Sequence, residues 1–273
     1  MTTRPLLENS TSLYFETRPL ELYVFIDPSC HECWHLQPIL RRLQIDYERY
    51  FTLRVVLRTS LPSLNYAYSG AFSKNESCDK DSHPAFPSIA IKAAEFQGKR
   101  AGLRFASKLF EYANLKERNV NAFSVLVEIA HAIQLDVDEF IRDFASKNVH
   151  RALQIDLYMA KEMEVDQAPT FVFFNENIED EGLKISGLYA YEIYEQIIEE
   201  LIGQTIYPDP PPPLEELFKR FDTLATKEIA DIYRMPEKSA ERELKKRLLQ
   251  QHVERLSVQD ITLWRQKKAT QTV

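Results

Sequence analysis

The chain has 273 residues and a formal net charge of −7, with 44% hydrophobic and 27% charged residues. A chain of this length buries a substantial core and is expected to form one large domain and a smaller one. The acidic balance argues against a general nucleic-acid or anionic-membrane binder, and no apolar run approaches the roughly 20 residues of a membrane-spanning helix. We therefore expect neither nucleic acid nor a membrane among its partners.

The N-terminal residues and the cysteine usage indicate the compartment. Residues 1–19 are predicted to be a tail, and they contain no basic segment followed by an apolar stretch, so no export signal is visible. Only three cysteines are present, Cys30, Cys33 and Cys78. Both observations favour a reducing, cytoplasmic setting, where a close cysteine pair is more often catalytic, regulatory or metal-binding than a structural disulfide.

A cysteine pair follows the first predicted strand. The apolar run Leu22–Ile26 predicts a buried strand, and the CxxC motif of residues 30–33 comes shortly after it. Helical apolar spacing then predicts a helix to about Tyr50, and Phe51–Leu57 predicts a second, parallel strand. A strand that leads through such a pair into a helix is typical of a thioredoxin fold. Because a helix N-terminus favours negative charge, the first cysteine is expected to tend toward the reactive thiolate.

A helical block then interrupts the α/β pattern. Residues 65–83 are predicted to be an irregular loop, and the segment of about 86–164 has helical spacing almost throughout. Five helices are predicted there, with Asp136 and Asn148 as caps of the last two: Ser88–Gln97, Arg100–Tyr112, Ala122–Ile133, Val137–Ser146 and Val149–Met163. Strands return at Thr170–Phe174 and Leu183–Ile185, and a closing helix is predicted over Tyr191–Ile202.

The last part of the chain is predicted to be a separate module. The proline run of residues 208–213 is the predicted linker, because consecutive prolines favour a stiff extended chain. Residues 214–273, called here the C-terminal module, contain a short helix ending at Tyr233 and a long charged helix that begins at Pro236 and places Leu256 on its buried side. All predicted elements are helices, which gives a small, mainly helical module. Its charges alternate in sign as on a solvated face, so DNA binding through these helices is the less favoured alternative.

Several motifs resemble a known family. The sequences DPSCHECW (27–34), AAEFQGK (93–99) and APTF (168–171) resemble the DsbA-like branch of the thioredoxin superfamily. Within that branch the chain is most similar to the SpxH family, also called YjbH, over about residues 20–267. The more specific segments are LYMAKEM (157–163), DEGLK (180–184) and KEIA (227–230).

The resemblance implies a fold and a role. The implied fold class is α/β: a DsbA-like thioredoxin domain over residues 20–207 with an inserted helical subdomain at about 86–164, followed by the mainly helical C-terminal module. The implied role is a cytoplasmic adapter that binds the transcriptional regulator Spx and promotes its degradation by the ClpXP protease. Neither catalysis nor a cofactor is required for that role, and the cysteines are expected to adjust it under stress. The alternative is a cytosolic DsbA-like thiol-disulfide oxidoreductase.

The motif residues have individual predicted roles. Cys30 is the candidate attacking thiol and Cys33 its resolving partner, and the alternative is a retained pair with no required turnover. A protonated His31 would stabilise a thiolate, whereas Glu32 would oppose it. DsbA-like pairs usually have proline after the first cysteine or histidine before the second, so this motif argues against an oxidase-like poise, and both residues are alternatively exposed turn residues. The resemblance predicts a cis peptide bond before Pro169, facing the pair.

The third cysteine raises the question of a metal. Cys78 is a candidate stress-modified thiol. Structural zinc takes four ligands, and Cys30 and Cys33 together with Cys78 and His83 would supply them. The spacing of the second pair is irregular, so we predict that the protein binds no metal, with zinc as the alternative.

Overall fold

The computed structural model describes residues 20–59, 82–175, 177, 181–258 and 261–267. The predicted N-terminal tail, most of the predicted loop and Cys78 lie outside these ranges. Within the ranges, no helix is both long enough and apolar enough to cross a membrane.

A mixed sheet forms the centre of the first domain. Its four strands are β1 (Leu20–Ile26), β2 (Phe51–Leu57), β3 (Thr170–Phe174) and β4 (Leu183–Ser186). The order is β2-β1-β3-β4, with β1 parallel to β2 and antiparallel to β3. Helix α1 (His31–Asp46) makes the predicted crossover between β1 and β2 and ends in a 3-10 turn, Glu48–Tyr50. The predicted strands and their parallel pairing are therefore confirmed.

The predicted helical insert is confirmed as well. Its five helices are α2 (Phe86–Phe96), α3 (Lys99–Asn114), α4 (Phe123–Ala132), α5 (Val137–Phe144) and α6 (Lys147–Glu162). The Asp136 carboxylate caps α5 as predicted, by accepting a hydrogen bond from the Glu139 N–H. Ser146 caps α6, so the prediction of Asn148 as its cap was wrong. Ser146 and Asn148 are both capping residue types, and the sequence does not decide between them.

Apolar residues cover both faces of the sheet. On β1, Leu22 and Val24 belong to the main core, whereas Tyr23 and Phe25 belong to a smaller cluster on the other face. This burial on both faces explains why β1 is a continuous apolar run and does not alternate with polar residues. Helix α7 (Tyr191–Ile202) completes the domain and packs into the main core.

The C-terminal module contains strands that the sequence did not predict. Its helices are α8 (Leu214–Phe221), α9 (Thr226–Ile232) and α10 (Glu237–Leu249), and its strands are β5 (Thr223–Ala225), β6 (Val253–Val258) and β7 (Ile261–Gln266). The strands form an antiparallel sheet in the order β5-β7-β6. Leu256 therefore lies on β6, and its prediction as part of the long helix was wrong. The chain turns at Gln251, which has a left-handed φ of 63° although it is not glycine, so the end of the helix carried no sequence signal.

The C-terminal module packs directly on helix α1. Ile45 of α1 is a member of the module's own apolar cluster, together with residues such as Leu217 and Trp264. The predicted linker also lies against the end of this helix, since the Asp209 N–H donates to the Asp46 carbonyl at 2.8 Å and the Asp209 carboxylate pairs with Arg49 at 3.0 Å. One face of α1 is thus buried by the second module.

Candidate functional site

The cysteine motif lies at the turn that joins β1 to α1. Cys30 is the N-cap residue of α1, with extended backbone angles of φ −85° and ψ 119°, and its N–H donates to the Asp27 carbonyl at 2.9 Å. The Asp27 carboxylate accepts hydrogen bonds from both the N–H (2.9 Å) and the hydroxyl (2.6 Å) of Ser29. An aspartate that binds the backbone two residues later stabilises a tight turn. This turn places Cys30 at the domain surface.

The two thiols have different environments. Both are free, and Cys30 is half-buried whereas Cys33 is fully buried. The Cys30 S–H donates to the Ala168 carbonyl at 3.1 Å. Burial raises the pKa of the Cys33 thiol well above its usual range; a backbone hydrogen bond from Asp27 opposes the shift, and the neighbouring Cys30 adds to it. Cys33 therefore stays protonated at neutral pH.

The loop before β3 faces the cysteine turn. The Ala168–Pro169 peptide bond is cis, as the resemblance predicted. The loop is tied to the end of β4, because the Gly187 N–H donates to the Pro169 carbonyl at 2.8 Å and the Thr170 hydroxyl donates to the Ser186 hydroxyl at 2.9 Å. The Ala168 carbonyl is thus held where the Cys30 thiol meets it.

The two residues between the cysteines are exposed. His31 lies 2.7 Å from Asn114, measured from Nδ1 to Oδ1, and 3.2 Å from His35, measured between the two Nε2 atoms. Its imidazole is therefore engaged by Asn114 and His35. Asn114 belongs to the helical insert, and no sequence signal pointed to it. Glu32 has no ion pair among the described residues.

A cavity of about 410 Å³ opens beside the cysteine turn. The turn lines one side with Asp27, Cys30 and His31, and the insert lines the other with residues that include Asn114 and Asn121. It has room for a side chain of a bound protein. The described ranges contain no group of three or more His, Cys, Asp and Glu side chains that could hold a metal, and Cys78 of the zinc alternative lies outside them.

Comparisons with known proteins identify the family. A family model described as Thioredoxin matches residues 23–196. A protein of Halalkalibacterium halodurans named ClpXP adapter protein SpxH is 39% identical over 272 residues, which cover 91% of this chain and 89% of that protein. A protein of Shouchella clausii with the same name is 41% identical over 266 residues, with the same two coverages. This chain belongs to the SpxH family.

Solved structures give the fold of this SpxH-family protein independently. A thioredoxin-like oxidoreductase from Silicibacter pomeroyi superimposes with a TM-score of 0.50 at 17% sequence identity. The match covers 69% of this chain and 90% of the oxidoreductase. At this identity the likeness shows a shared thioredoxin-like fold.

The geometry permits one round of disulfide exchange. The Cys30 thiolate attacks one sulfur of a substrate disulfide, and the other substrate sulfur leaves as a thiolate. The Cys33 thiolate then attacks the Cys30 sulfur, and the second substrate sulfur leaves as a thiolate. Cys30 and Cys33 are then joined by a disulfide, and the substrate has gained two electrons. The raised pKa of Cys33 disfavours the second step, because only the thiolate attacks.

The C-terminal half of α1 holds a buried ionic contact in this SpxH-family chain. The Arg41 guanidinium pairs with the Glu228 carboxylate at 2.8 Å and donates to the Thr223 carbonyl at 3.2 Å, both in the C-terminal module. It also donates to the Ser107 hydroxyl in the insert. Arg41 thus joins three parts of the chain. The sequence carries no signal for the role of Arg41, because a lone arginine on a helix resembles any exposed one.

Proposed function

We propose that this protein is a cytoplasmic adapter that binds the regulator Spx and promotes its degradation by the ClpXP protease. The observation that supports this proposal most directly is the sequence identity of 39–41%, across 91% of the chain, to two proteins named ClpXP adapter protein SpxH. A match of this extent covers the thioredoxin domain and most of the C-terminal module. Shared fold alone would not support the proposal, because one fold hosts many functions.

The two thiols of the cysteine site differ in access. The resolving thiol of Cys33 is fully buried and its pKa is raised by that burial, so little of it is thiolate at neutral pH. The cavity beside Cys30 offers a recess for a partner's side chain. In this proposal the protein is not an enzyme, and oxidation of Cys30, Cys33 or Cys78 adjusts its binding.

A thiol-disulfide oxidoreductase is the second candidate. It is favoured by one observation: Cys30 lies at the N-terminus of α1, is only half-buried, and has its sulfur 3.1 Å from the Ala168 carbonyl. That is a suitable position for attack on an incoming disulfide.

Reconstituted proteolysis tests the proposal. Purified Spx and ClpXP are incubated with and without the full chain, and the half-life of Spx is measured. We expect faster degradation with the chain present, and expect the Cys30→Ser/Cys33→Ser double variant to retain most of that effect. An unchanged half-life with the native protein would contradict the adapter function.

A parallel assay tests the alternative. The rate of reduction of glutathione disulfide, with dithiothreitol as the electron source, is compared for the native chain and the double variant. Equal rates are expected from an adapter. Turnover that disappears in the double variant, combined with no effect on Spx, would favour the oxidoreductase.

A further inference from the structure

Within the part of the chain that the structure describes, the outer edge of strand β2 pairs with no other strand. β2 ends the sheet order β2-β1-β3-β4 and pairs there only with β1. The Arg58 N–H, just after the strand, donates to the Ile26 carbonyl toward β1, whereas the Leu57 N–H donates outward to the Asp156 carboxylate, both at 2.8 Å. Because backbone groups alternate sides along a strand, the N–H groups of Leu53 and Val55 also face outward. Among the described residues, neither outward group has a hydrogen-bond partner.

A groove follows this open edge. It consists of two cavities, of about 700 Å³ and about 200 Å³, that share Leu53, Lys99 and Leu103 in their walls. Residues of β2 and of α3 line both cavities. Helix α1 and α8 of the C-terminal module line the larger cavity, and α2 and α6 line the smaller one. We name it the β2-edge groove. An extended peptide placed in it would find main-chain partners in Leu53 and Val55, which is how strand addition gains affinity.

The rim of the β2-edge groove is basic although the whole chain is acidic. Lys99, Arg100 and Lys219 are exposed and line the groove, and no carboxylate pairs with them within the described ranges. The carboxylates of the groove are partly neutralised. Glu48 binds Arg220 through two contacts of 2.9 Å, and Glu95 and Asp156 share Lys92 at 2.7 Å, so one of these two charges is uncompensated. Glu216 has no ion pair among the described residues, which leaves two negative charges against the three unpaired cations of the rim.

The basic residues of the rim indicate which kind of partner fits the groove. In a symmetric dimer that joins the two grooves, a second copy of this chain would bring two basic rims together, which like-charge repulsion disfavours. An acidic segment would complement them. Its side chains would alternate between the two faces of the added strand, so apolar side chains would meet Leu103 while acidic ones meet the cations.

We propose that the β2-edge groove binds an extended, acidic segment of a partner protein by adding it as a strand to β2. The groove is separate from the cysteine turn, because it shares no lining residue with the cavity beside that turn. It does not require the adapter function, since it is tested by peptide binding without Spx or the protease.

Single-residue amide exchange tests the proposal. The probe is a capped nine-residue peptide in which valine alternates with aspartate, added to the isotope-labelled full chain and followed by NMR. We expect the peptide to slow exchange at Leu53 and Val55, and to leave Arg54 and Val56 unchanged because they already bond to β1. A matched peptide with lysine in place of aspartate is expected to have no effect.

Charge reversal supplies the second measurement. The triple variant Lys99→Glu/Arg100→Glu/Lys219→Glu is expected to lose the protection. The control Lys227→Glu/Lys238→Glu/Arg242→Glu makes the same charge change at exposed residues outside the groove and is expected to retain it. Equal protection in both variants would overturn the proposal, as would no protection at millimolar peptide.

Amide exchange in the protein without peptide tests whether the edge of β2 is already covered. Slow exchange at Leu53 and Val55 without peptide would mean that another occupant already covers the edge. Protection that increases with protein concentration would identify a second copy, and concentration-independent protection would identify a segment of the chain itself. Either result would overturn the acidic-partner assignment.

Discussion

Helix α1 has two contrasting ends. At its N-terminus, Cys30 is half-buried and His31 and His35 are exposed, with contacts mainly to each other and to Asn114. Toward its C-terminus, Arg41 and Ile45 are buried beneath the C-terminal module. The N-terminal end of α1, at the thioredoxin-like turn, is therefore open, and its C-terminal end is covered by the C-terminal module. We call these two parts of the helix the open end and the closed end.

At the closed end, buried polar side chains of α1 bind residues of other elements. Besides Arg41 and Glu228, the Asp46 carboxylate accepts a hydrogen bond from the Tyr191 hydroxyl at 2.8 Å and lies 3.3 Å from the Arg234 guanidinium. Removing one partner of a buried ion pair leaves the other charge buried and uncompensated, which is strongly destabilising. Substitutions at the closed end should therefore affect the whole molecule, whereas substitutions at the open end should affect chemistry and leave the fold unchanged.

The largest expected effect is at Arg41. The variant Arg41→Met leaves the Glu228 carboxylate buried without its charge partner, and we expect a loss of about 3–5 kcal/mol in the free energy of unfolding, as when one partner of a buried pair is removed. Urea unfolding monitored by circular dichroism measures it. The control is Arg118→Gln, which breaks an exposed pair with Glu128 and is expected to cost about 0–1 kcal/mol. Similar losses of free energy in the two variants would show that the buried pair contributes no more to stability than an exposed one.

Truncation of Ile45 tests whether the two modules unfold together. Ile45 lies on α1 but packs in the C-terminal cluster that contains the buried Trp264, so we expect Ile45→Ala to cost about 2–5 kcal/mol. Tryptophan fluorescence and circular dichroism should report one common midpoint. Ile39→Ala, at a half-buried position on the same helix, is the matched control and should cost less. Two separate transitions in the native protein would contradict the coupling.

The sequence predicted most elements of the first domain because their apolar periodicity is long and regular. β2 and α7 have the predicted bounds, and the helices of the insert begin and end within about two residues of prediction. The failure at Leu256 has a physical reason. Leu244, Leu248 and Leu256 are four and eight residues apart, which fits one face of a helix, so periodicity alone did not show that the helix ends at Leu249.

The site could be predicted only where a local motif carries it. The CxxC spacing identified Cys30 and Cys33, and the resemblance supplied the cis bond before Pro169. His31 and Asn114 are 83 positions apart in the chain, and Arg41 and Glu228 are 187 apart. Neither pair has a sequence signature, because only the packing of α3 and of the C-terminal module against α1 brings the partners together.

Cys33 should have a moderate effect on stability and a defined pH dependence. Cys33→Ser places a hydroxyl in a fully buried apolar site, which we expect to cost about 1–3 kcal/mol. Because burial raises the pKa of this thiol, the folded state holds its proton more tightly than the unfolded chain does. The stabilisation from Cys33 is therefore complete below the unfolded thiol pKa of about 8.5 and is lost as the pH rises toward the folded value.

Urea midpoints measured from pH 7 to pH 10 check this sign. The native protein should lose more stability over that interval than Cys33→Ser, since the variant lacks the thiol. Iodoacetamide labelling gives an independent measurement, in which Cys30 is modified in the folded protein and Cys33 only after unfolding. Rapid labelling of Cys33 at neutral pH would contradict its burial and its raised pKa.

The smallest expected effect is at Cys30. This thiol is half-buried and makes one hydrogen bond, to the Ala168 carbonyl. A serine hydroxyl at the same position can donate to that carbonyl, so we expect Cys30→Ser to change the free energy of unfolding by no more than about 0.5 kcal/mol. Urea unfolding beside Cys33→Ser measures the difference between two cysteines three residues apart. A loss as large as that of Cys33→Ser would mean that the cysteine turn contributes to the stability of the fold. The two ends of α1 would then differ in thiol reactivity but not in their contribution to stability.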